Sequence, residues 1–429
     1  MKKIIIIFLL FSTKALAQQL SLQDAINMAL KKSYDIQIAK NVVDINKINN
    51  NLGVAGGLPT VTATASDQES VVNINQKLNT GIVLSRNGAT NNNLNANVTG
   101  SMLLYNGYRV VATKKRLEEL QKQSEQELNA QIQNTIAIVM VNYYNVVRQQ
   151  SYIKTLQQSI EVSKKQLELI ETKQSLGLAN NANLFQSQID LNARLQDIQA
   201  QQLILAQAKA DLLNAMVANP DSSISIVDTI VVDKNLNLVE IIAEISKNPQ
   251  IISLDNQIKI NELIEKETAA LRQPLVRANA GLNYGRNQSD GGQLLLNQSY
   301  GPFINLGITI PIYNGSVFKR QQQTANINTQ NAKLQKDNVL QQNHTATIKL
   351  FKAYTNSLQQ LNTQQNTYQL SQQLVQLSLQ RFQLAAATII EVREAQKSFE
   401  DAGFRLVTLS YSAKIAEIEL KRLSNRLTF

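Results

Sequence analysis

The sequence predicts a mainly α-helical fold with a small β-sheet part, built from two copies of one structural unit. Two stretches that follow the tripeptide Tyr-Asn-Gly, at 108–176 and 316–384, contain no proline and no glycine. Each indicates a helix of roughly 69 residues, far beyond the ~8–20 residues of an ordinary globular helix. A short segment of alternating apolar and polar residues precedes each stretch and indicates a β-strand. The second half of the chain repeats this order of elements, which predicts an internal structural repeat.

The residue inventory excludes several kinds of chemistry. The chain has no cysteine and a single histidine, His344, within the second long helical stretch. Cysteine-based metal sites, disulfides and thiol catalysis are therefore excluded. No nucleophile–base set or metal-ligand spacing can be assembled, so we predict no catalytic site, no metal site, no cofactor and no enzymatic activity. The cluster Gly53, Gly56 and Gly57 precedes a predicted strand, which indicates a turn rather than a phosphate-binding loop.

Residues 1–17 have the pattern of a secretory signal peptide. Lys2 and Lys3 precede an apolar run at 4–11, and Ala15-Leu16-Ala17 is a small-x-small cleavage site. The run is too short for a membrane anchor, and no other run of about 18 apolar residues occurs. Removing this segment takes away three lysines, so the formal net charge falls from +10 to +7. The remaining charges are scattered, which argues against nucleic acid as a partner.

The first repeat is predicted at 18–223. It starts with a capping box at Ser21 to Asp24, which opens a helix. The predicted elements that follow the box are a helix to about Asn51, a strand at Thr60–Ser66, an Asn-rich loop at Asp67–Leu94, a strand at Ala96–Tyr105, the long helix, a turn at Leu176–Asn181 and a helix at Ala182–Met216.

A second repeat is predicted at 240–429, after a linker at 224–239 whose first residues, Ile224–Val232, fit either a strand or irregular structure. Its predicted elements are a helix at Glu240–Leu271, a strand at Val276–Tyr284, a loop at Arg286–Gly301, a strand at Ile304–Ile312 and the second long helix. Tyr313, Asn314 and Gly315 lie 208 residues after Tyr105, Asn106 and Gly107, so we expect both tripeptides to form strand–helix junctions. A heptad series recurs at the same offset, with Leu184, Leu191, Ile198, Leu205 and Leu212 followed by Val392, Phe399, Leu406, Ala413 and Leu420.

The predicted strands are apolar on one side and polar on the other over about ten residues, which is typical of transmembrane β-strands. From the strands alone, a half-buried sheet in a soluble sandwich fits equally well. Four strands cannot close a barrel, because the smallest known barrels need about eight. Every backbone group in lipid must be paired, so strands that span a membrane would have to be pooled from several chains. Three chains would give twelve strands.

The long helices carry a narrow apolar seam on an otherwise polar surface, with apolar residues at three- and four-residue spacing. Such helices suit a wall one helix thick that is wet on both faces. From the helices alone, an ordinary coiled-coil bundle is the better interpretation. Only the strand pairs and the internal repeat favour a wall one helix thick. Two other function classes stay open at this point. One is a periplasmic coiled-coil scaffold, and the other is a secreted enzyme, which nothing in the residue inventory supports.

Several segments resemble the TolC-like outer-membrane efflux channels over essentially the whole mature chain. The resemblance is carried by the opening segment Leu20–Leu30, by Leu58-Pro59 before the first strand, by Ile310–Gly315, by Leu176-Gly177-Leu178 and above all by Leu384–Ala395. The last of these is similar to the segment Val-Gly-x-x-Thr-Ile-Val-Asp-Val-x-Asp-Ala at the periplasmic tip of the family. The resemblance implies a homotrimer in the outer membrane, with a twelve-stranded barrel in contact with lipid and a long α-helical tunnel in the periplasm.

The resemblance also implies the function of a passive exit duct in a tripartite efflux or type I secretion system. A periplasmic adaptor that serves an inner-membrane pump would dock at the helix turns. The docking tip would consist of Leu176, Gly177, Leu178, Leu384, Ala385, Ala386, Ala387 and Thr388. The two long loops would then face the cell exterior and the helix turns the periplasm. The cargo and the identity of the pump and adaptor cannot be read from the residues.

Three positions in the tip segment depart from the family pattern. Ala385 replaces a glycine, and Phe382 and Ala387 stand where family members can hold the Tyr and Arg that lock the closed entrance. Glu391 and Glu394 fall where the family has two entrance aspartates, and they share a helix face. They could form an acidic ring around the trimer axis that favours cations. For Glu391 there is an equally weighted alternative, because Thr388-x-x-Glu391 has the spacing of a capping box.

Overall fold

The computed structural model describes residues 18–291 and 294–427, so the predicted signal peptide lies outside the described residues. The described chain is mainly α-helical with a small sheet, as predicted. Its helices are α1 (Leu22–Lys32), α2 (Tyr34–Asn49), α3 (Arg109–Ser175), α4 (Asn181–Ala215), α5 (Leu238–Glu244), α6 (Pro249–Ala270), α7 (Val317–Gln383) and α8 (Ile389–Leu423). Its strands are β1 (Gln18–Gln19), β2 (Thr60–Lys77), β3 (Val83–Tyr105), β4 (Ile224–Ser225), β5 (Leu275–Ser289) and β6 (Leu296–Thr309).

The chain divides into two compact units. The first, which we call the helical unit, comprises the described residues within Met1–Lys40, Gln126–Ile252 and Asn338–Phe429. The second, which we call the sheet unit, comprises the described residues within Asn41–Glu125 and Ser253–Asp337.

The internal repeat is confirmed at the level of the backbone. The helices α3 and α7 both have 67 residues, and α4 and α8 both have 35. The helices α7 and α8 of the second repeat begin 208 residues after α3 and α4, respectively. Residues with positive φ recur at the same offset, as the pairs Gly107 and Gly315, Tyr108 and Ser316, Gly177 and Ala385, and Val217 and Asn425. The division into 18–223, 224–239 and 240–429 stays a prediction.

The helical unit is held together by a core to which both repeats contribute. Ile26 of α1, Val139 and Tyr143 of α3, Leu212 of α4 and Ile418 of α8 are buried in one cluster. The hydroxyl of Tyr143 lies 3.1 Å from the backbone carbonyl of Leu20 and 2.5 Å from the carboxylate of Asp228, and its single proton is shared between these two acceptors. A buried polar atom is costly without a partner, so these bonds permit a large aromatic side chain at the centre of the core.

Two helices predicted as continuous are interrupted. The first is broken at Ser33, whose side chain accepts a hydrogen bond from the backbone N–H of Ile36 and so starts α2. The segment 240–271 is broken before Pro249. The ring of a proline disfavours the helical conformation in the residue before it, and Asn248 has ψ of 130°. Between α5 and α6 lies a short 3₁₀ turn, Ile245–Lys247. In the predicted linker, a strand forms only at Ile224–Ser225, where β4 pairs with β1 in parallel.

The sheet unit contains an antiparallel sheet of four strands in the order β2-β3-β5-β6. Both predicted loops are wrong in extent, because most of their residues lie in strands. Asp67 is paired with Leu94, β2 and β3 continue to a turn at 78–82, β5 continues to Ser289, and β6 begins at Leu296. Strand pairing uses backbone groups, so a polar, Asn-rich sequence can extend the ladder when its partner strand is already aligned.

The last strand ends earlier than predicted. β6 stops at Thr309, whereas the alternating pattern suggested a strand to Ile312. Pro311 has no backbone N–H to donate to a neighbouring strand, and proline within a sheet is confined to edges and ends. The residues 310–316 therefore form an irregular connection to α7.

Candidate functional site

The four strands align their apolar residues on one face of the sheet. The register places Val61, Gly100, Ala280 and Ile304 in one cross-strand row, and the rows on either side of it are also apolar. This face includes Val61, Ala63, Ala65, Ala96, Val98, Met102, Val276, Ala278, Leu282, Leu306 and Ile308. Its side chains are not covered within the described chain, and Ile304 is 88% exposed. An apolar face that finds no cover in the sheet unit needs an apolar surrounding.

The opposite face is mainly polar over the same length, with Leu103 and Phe303 as apolar exceptions. Its central row consists of Thr64, Asn97, Asn283 and Gly301, and Thr64 donates a hydrogen bond of 2.9 Å to the side chain of Asn97. Apolar and polar faces that alternate along every strand are the pattern of a barrel with lipid outside and water inside.

Tyrosines stand at one end of the apolar face. Tyr284 is directly opposite Tyr300, and the next row on this face contains Asp67, Leu94, Arg286 and Gln298. Transmembrane barrels have aromatic girdles where the apolar band meets the headgroups, and a tilted spanning strand needs only about 9–11 residues. β2 has 18 residues and β3 has 23, so these strands are long enough to continue beyond the band on its polar side.

The sheet has two unpaired edges. β2 and β6 lie at the ends of the strand order and pair on one side only within the described chain. No described helix has both the length and the apolar character that a membrane-spanning helix requires. The described residues also contain no cluster of metal-ligating side chains, and His344 is a half-buried residue of α7.

The predicted junction tripeptides lie between strand and long helix in both repeats. Tyr105 ends β3, and Gly107 and Tyr108 both have positive φ before α3 begins. A side chain at Gly107 would place its Cβ 2.5 Å from the Cβ of Gln273, so glycine is required there by both conformation and space. Gly315 has the same conformation, with φ of 69°, but open space around it. Tyr313 and Asn314 lie in the irregular connection before α7.

The two helix turns of the predicted docking tip have the same hydrogen-bond pattern. The N–H of Leu178 donates to the carbonyl of Lys173 at 2.8 Å, and the N–H of Ala386 donates to the carbonyl of Arg381 at 2.8 Å. Each turn is a Schellman motif, in which a residue with positive φ reverses the chain after the helix. Gly177 has that role in the first turn, with φ of 73°, and Ala385 has it in the second, with φ of 58°.

The outer side chains of both turns are exposed. Leu178 is 75% exposed, and Leu176 and Leu384 are exposed to similar extents. Ala386 is also exposed and Ala387 is half-buried, while Thr388 is the N-cap of α8. The turns therefore present apolar side chains that the described chain does not cover.

The helix pair α3–α4 contacts the helix pair α7–α8 near the two turns through Phe382, rather than through an exposed Tyr–Arg pair. Phe382 is buried against Ile170 and Val392. Lys173, at the end of α3, donates a hydrogen bond of 2.5 Å to the carbonyl of Phe382, and its ammonium lies 4.2 Å from the centre of the Phe382 ring. A cation over an aromatic face is an attractive arrangement. In this chain, Lys173 thus supplies a contact between the ends of α3 and α7.

Glu391 and Glu394 differ in their surroundings. The capping box is confirmed, because the Thr388 N–H donates to Glu391 Oε1 at 3.1 Å and the Glu391 N–H donates to Thr388 Oγ1 at 3.3 Å. Arg381 Nη1 lies 3.6 Å from the second carboxylate oxygen of Glu391. The hydrogen bonds from Thr388, with help from Arg381, hold the pKa of Glu391 below its usual range. Glu394 is exposed and has no ion pair among the described residues.

A buried polar cluster in the helical unit was not predicted from the sequence. Ser159 of α3 donates a hydrogen bond to Glu400 of α8, and Arg194 of α4 lies 3.0 Å from the same carboxylate. Gln396 of α8 donates to the hydroxyls of Ser159 and Ser163, at 2.5 and 2.8 Å. Burial raises the pKa of Glu400, although Ser159 and Arg194 act in the opposite direction. The available signal was that Gln396 and Glu400 adjoin the heptad positions of α8.

A model of the family described as outer membrane efflux protein matches residues 25–217 and 266–426, which is most of the chain. The chain belongs to the outer membrane efflux protein family. It is therefore an efflux channel of the Gram-negative outer membrane, and its long helices are the periplasmic part. This finding favours the channel over the coiled-coil scaffold, and the family is one of channels rather than enzymes. An uncovered apolar face of the sheet fits a channel of the outer membrane, and the soluble sandwich is excluded.

Solved structures of a transmembrane channel, an outer-membrane protein and an outer-membrane channel share this fold at low sequence identity. CusC, described in the context of transmembrane channel formation, has a TM-score of 0.77 and 17% identity, over 96% of this chain and 95% of its own. VceC of Vibrio cholerae has a TM-score of 0.75 and 17% identity, over 94% and 96%. The CmeC outer-membrane channel of Campylobacter jejuni has a TM-score of 0.78 and 15% identity, over 95% and 87%. No curated protein sequence matches the chain.

The pair of turns allows a test of backbone strain. An alanine with positive φ is disfavoured by about 1 kcal/mol relative to glycine, because its Cβ crowds the backbone. We expect Ala385→Gly to slow hydrogen exchange of the Ala386 amide about fivefold, since the turn opens less often. Gly177→Ala should speed exchange of the Leu178 amide by a similar factor. No atom lies within 4 Å of a Cβ built on Gly177, so this effect would come from conformation alone. Equal exchange rates in the variants and the parent would contradict the interpretation.

Proposed function

We propose that the protein works as a homotrimer, in which three sheets close one twelve-stranded barrel in contact with outer-membrane lipid. The long helices of the three chains would form a tunnel below it, and the whole would be a passive exit duct of a tripartite efflux or type I secretion system. The observation that supports this most directly is the sheet itself. It has one apolar face, one polar face and two unpaired edges.

The unpaired edges require other copies of the chain. In lipid, each unpaired backbone group costs several kcal/mol, so β2 and β6 need partner strands. Pairing β6 of one chain with β2 of the next gives a ring in which every interface is the same. Two chains would give eight strands, and side chains fill the interior of a barrel that small. Three chains give twelve strands and leave room for a conduit.

The trimer is tested by the mass of the protein after extraction from outer membranes in mild detergent. We expect three chains per particle from light scattering corrected for bound detergent. We expect the same particle to resist dissociation when the detergent is exchanged, because separating the chains would expose the edge backbone groups of β2 and β6 in each chain. A particle of one or two chains that still contains the native sheet would rule out the shared barrel.

The helix turns are the proposed docking tip for a periplasmic adaptor, itself in contact with an inner-membrane pump. Their support is the pair of equivalent turns with exposed Leu176, Leu178 and Leu384. Exposed apolar side chains grouped at a surface are typical of protein interaction sites. The proposal also places the turns in the periplasm and the strand connections 78–82 and 290–295 outside the cell.

Leu178→Glu tests the docking tip. The side chain is exposed, so the change should leave assembly intact, yet a charge in an apolar interface should weaken adaptor binding by tenfold or more, because the carboxylate loses water. We expect loss of drug resistance in a strain that depends on this duct. Leu294→Glu is the matched control, since Leu294 is 65% exposed in the connection between β5 and β6. Equal resistance in both variants would contradict docking at the turn.

At the entrance, the structure supports Glu394 more than Glu391 as a member of an acidic ring, because the charge of Glu391 lies close to Arg381. We expect Glu394→Gln to reduce cation selectivity, measured as the reversal potential across a planar bilayer in a salt gradient. We expect Glu391→Gln to leave the fold unchanged, since glutamine preserves the capping box, so that any change in its reversal potential comes from the lost charge alone. An unchanged reversal potential for Glu394→Gln would show that no acidic ring controls entry.

A further inference from the structure

The sheet unit contains a cavity of about 520 Å³ where the strands meet the long helix. Thr60, Ser101 and Arg277 line it from the polar face of the sheet, and Arg109 and Arg116 line it from the first turns of α3. The α2–β2 connection lines another side, with Gly53, Val54, Ala55, Gly56 and Leu58. The cavity therefore adjoins the face of the sheet that faces water in a barrel.

The charges around this cavity are unbalanced. Glu267 is the single carboxylate in its lining, and it is engaged by Arg116 in an ion pair of 2.7 Å. Arg109 and Arg277 have no ion pair and no side-chain hydrogen bond among the residues that the structure describes. Two guanidinium groups are thus left without a counter-charge, next to a third that is already paired.

The polar face above the cavity contains no acidic side chain to balance them. From the row of Thr309 to the row of Ser70, the described strands carry mostly threonine, serine, asparagine, glutamine and glycine on this face, together with the apolar Leu103, Leu275 and Phe303, and Arg277 is its one charged residue. Asp67 and Glu69 lie on the other face of the sheet. An anionic group that reaches this face would therefore be attracted electrostatically to the cavity. No carboxylate on this face of the described strands would repel it.

We propose that this cavity binds a carboxylate, phosphate or sulfate group of a molecule that passes along the polar face, with Arg109 and Arg277 as the binding residues. The proposal rests on the proposed function, because it treats the polar face as the channel wall. Guanidinium groups hold such anions by two parallel hydrogen bonds, which a solvated surface lysine does not provide. In a trimer, three such cavities would surround the lumen at the inner end of the barrel, and they would favour anionic or zwitterionic cargo over purely cationic cargo.

The test is calorimetric titration of pyrophosphate into the detergent-solubilised protein at low salt. We expect binding, and we expect the dissociation constant to rise at least about tenfold in the double variant Arg109→Gln with Arg277→Gln, because two charge-assisted contacts are lost. Arg286→Gln is the matched control. Arg286 is on the same strand as Arg277 but on the opposite face, so pyrophosphate affinity should not change. No binding by the unmodified protein, or equal affinity in the double variant, would overturn the proposal.

Planar-bilayer recordings separate this proposal from the channel function. Pyrophosphate should reduce the current through the unmodified protein, and the double variant should need at least about tenfold more for the same block. If the unmodified protein gives no current at all, the proposed duct fails while the titration still decides the anion site. If current flows and its block is the same in both proteins, the anion site is absent from the conduction path.

Discussion

The constraint on which the structure depends is that backbone hydrogen bonds must be complete in lipid. In a sheet of four strands, the backbone hydrogen bonds of the two inner strands are complete, whereas β2 and β6 each have one unpaired edge. Alternation along the strands separates apolar from polar side chains, but it does not supply hydrogen-bond partners for those edges. The proposed shared barrel would pair them without any further element in the chain. The repeat is consistent with this, since each copy of the structural unit contributes one hairpin of the sheet and one long helix.

The repeat is more regular in the backbone than in the side chains. At the four pairs of positive-φ positions, only Gly107 and Gly315 have the same residue type. The Schellman turns at Gly177 and Ala385 have the same bonds because they are made by main-chain groups, which any residue carries. What differs is the cost of the conformation, which is negligible for Gly177 and about 1 kcal/mol for Ala385. The two tips of one protomer are therefore alike in shape and unequal in local stability.

Polar groups inside the helical unit restrict how its helices can pack. Ser159, Gln396 and Glu400 are buried, and their hydrogen bonds join α3 to α8, while Arg194 brings in α4. A shift of one helix along another would leave these groups unpaired, which costs more than the loss of one apolar contact. Apolar seams with similar residues at every turn do not discriminate between such shifts so strongly. The cluster thus contributes more to a unique helix register than to overall stability.

The sequence by itself determined the two long helices, their offset of 208 residues and the alternation of the strands, because each depends on residues near one another in the chain. For Glu391 it left the capping box and the acidic ring equally weighted. Tertiary structure decided what periodicity does not encode. It extended β2 and β3 through Asn-rich residues, since an aligned partner strand supplies hydrogen bonds whatever the side chains are. It also brought Arg109, Arg116 and Arg277 to one cavity and joined Ser159 to Glu400, which are separated by 241 residues. Contacts at such separations arise only when the elements pack, because no local preference of the chain specifies them.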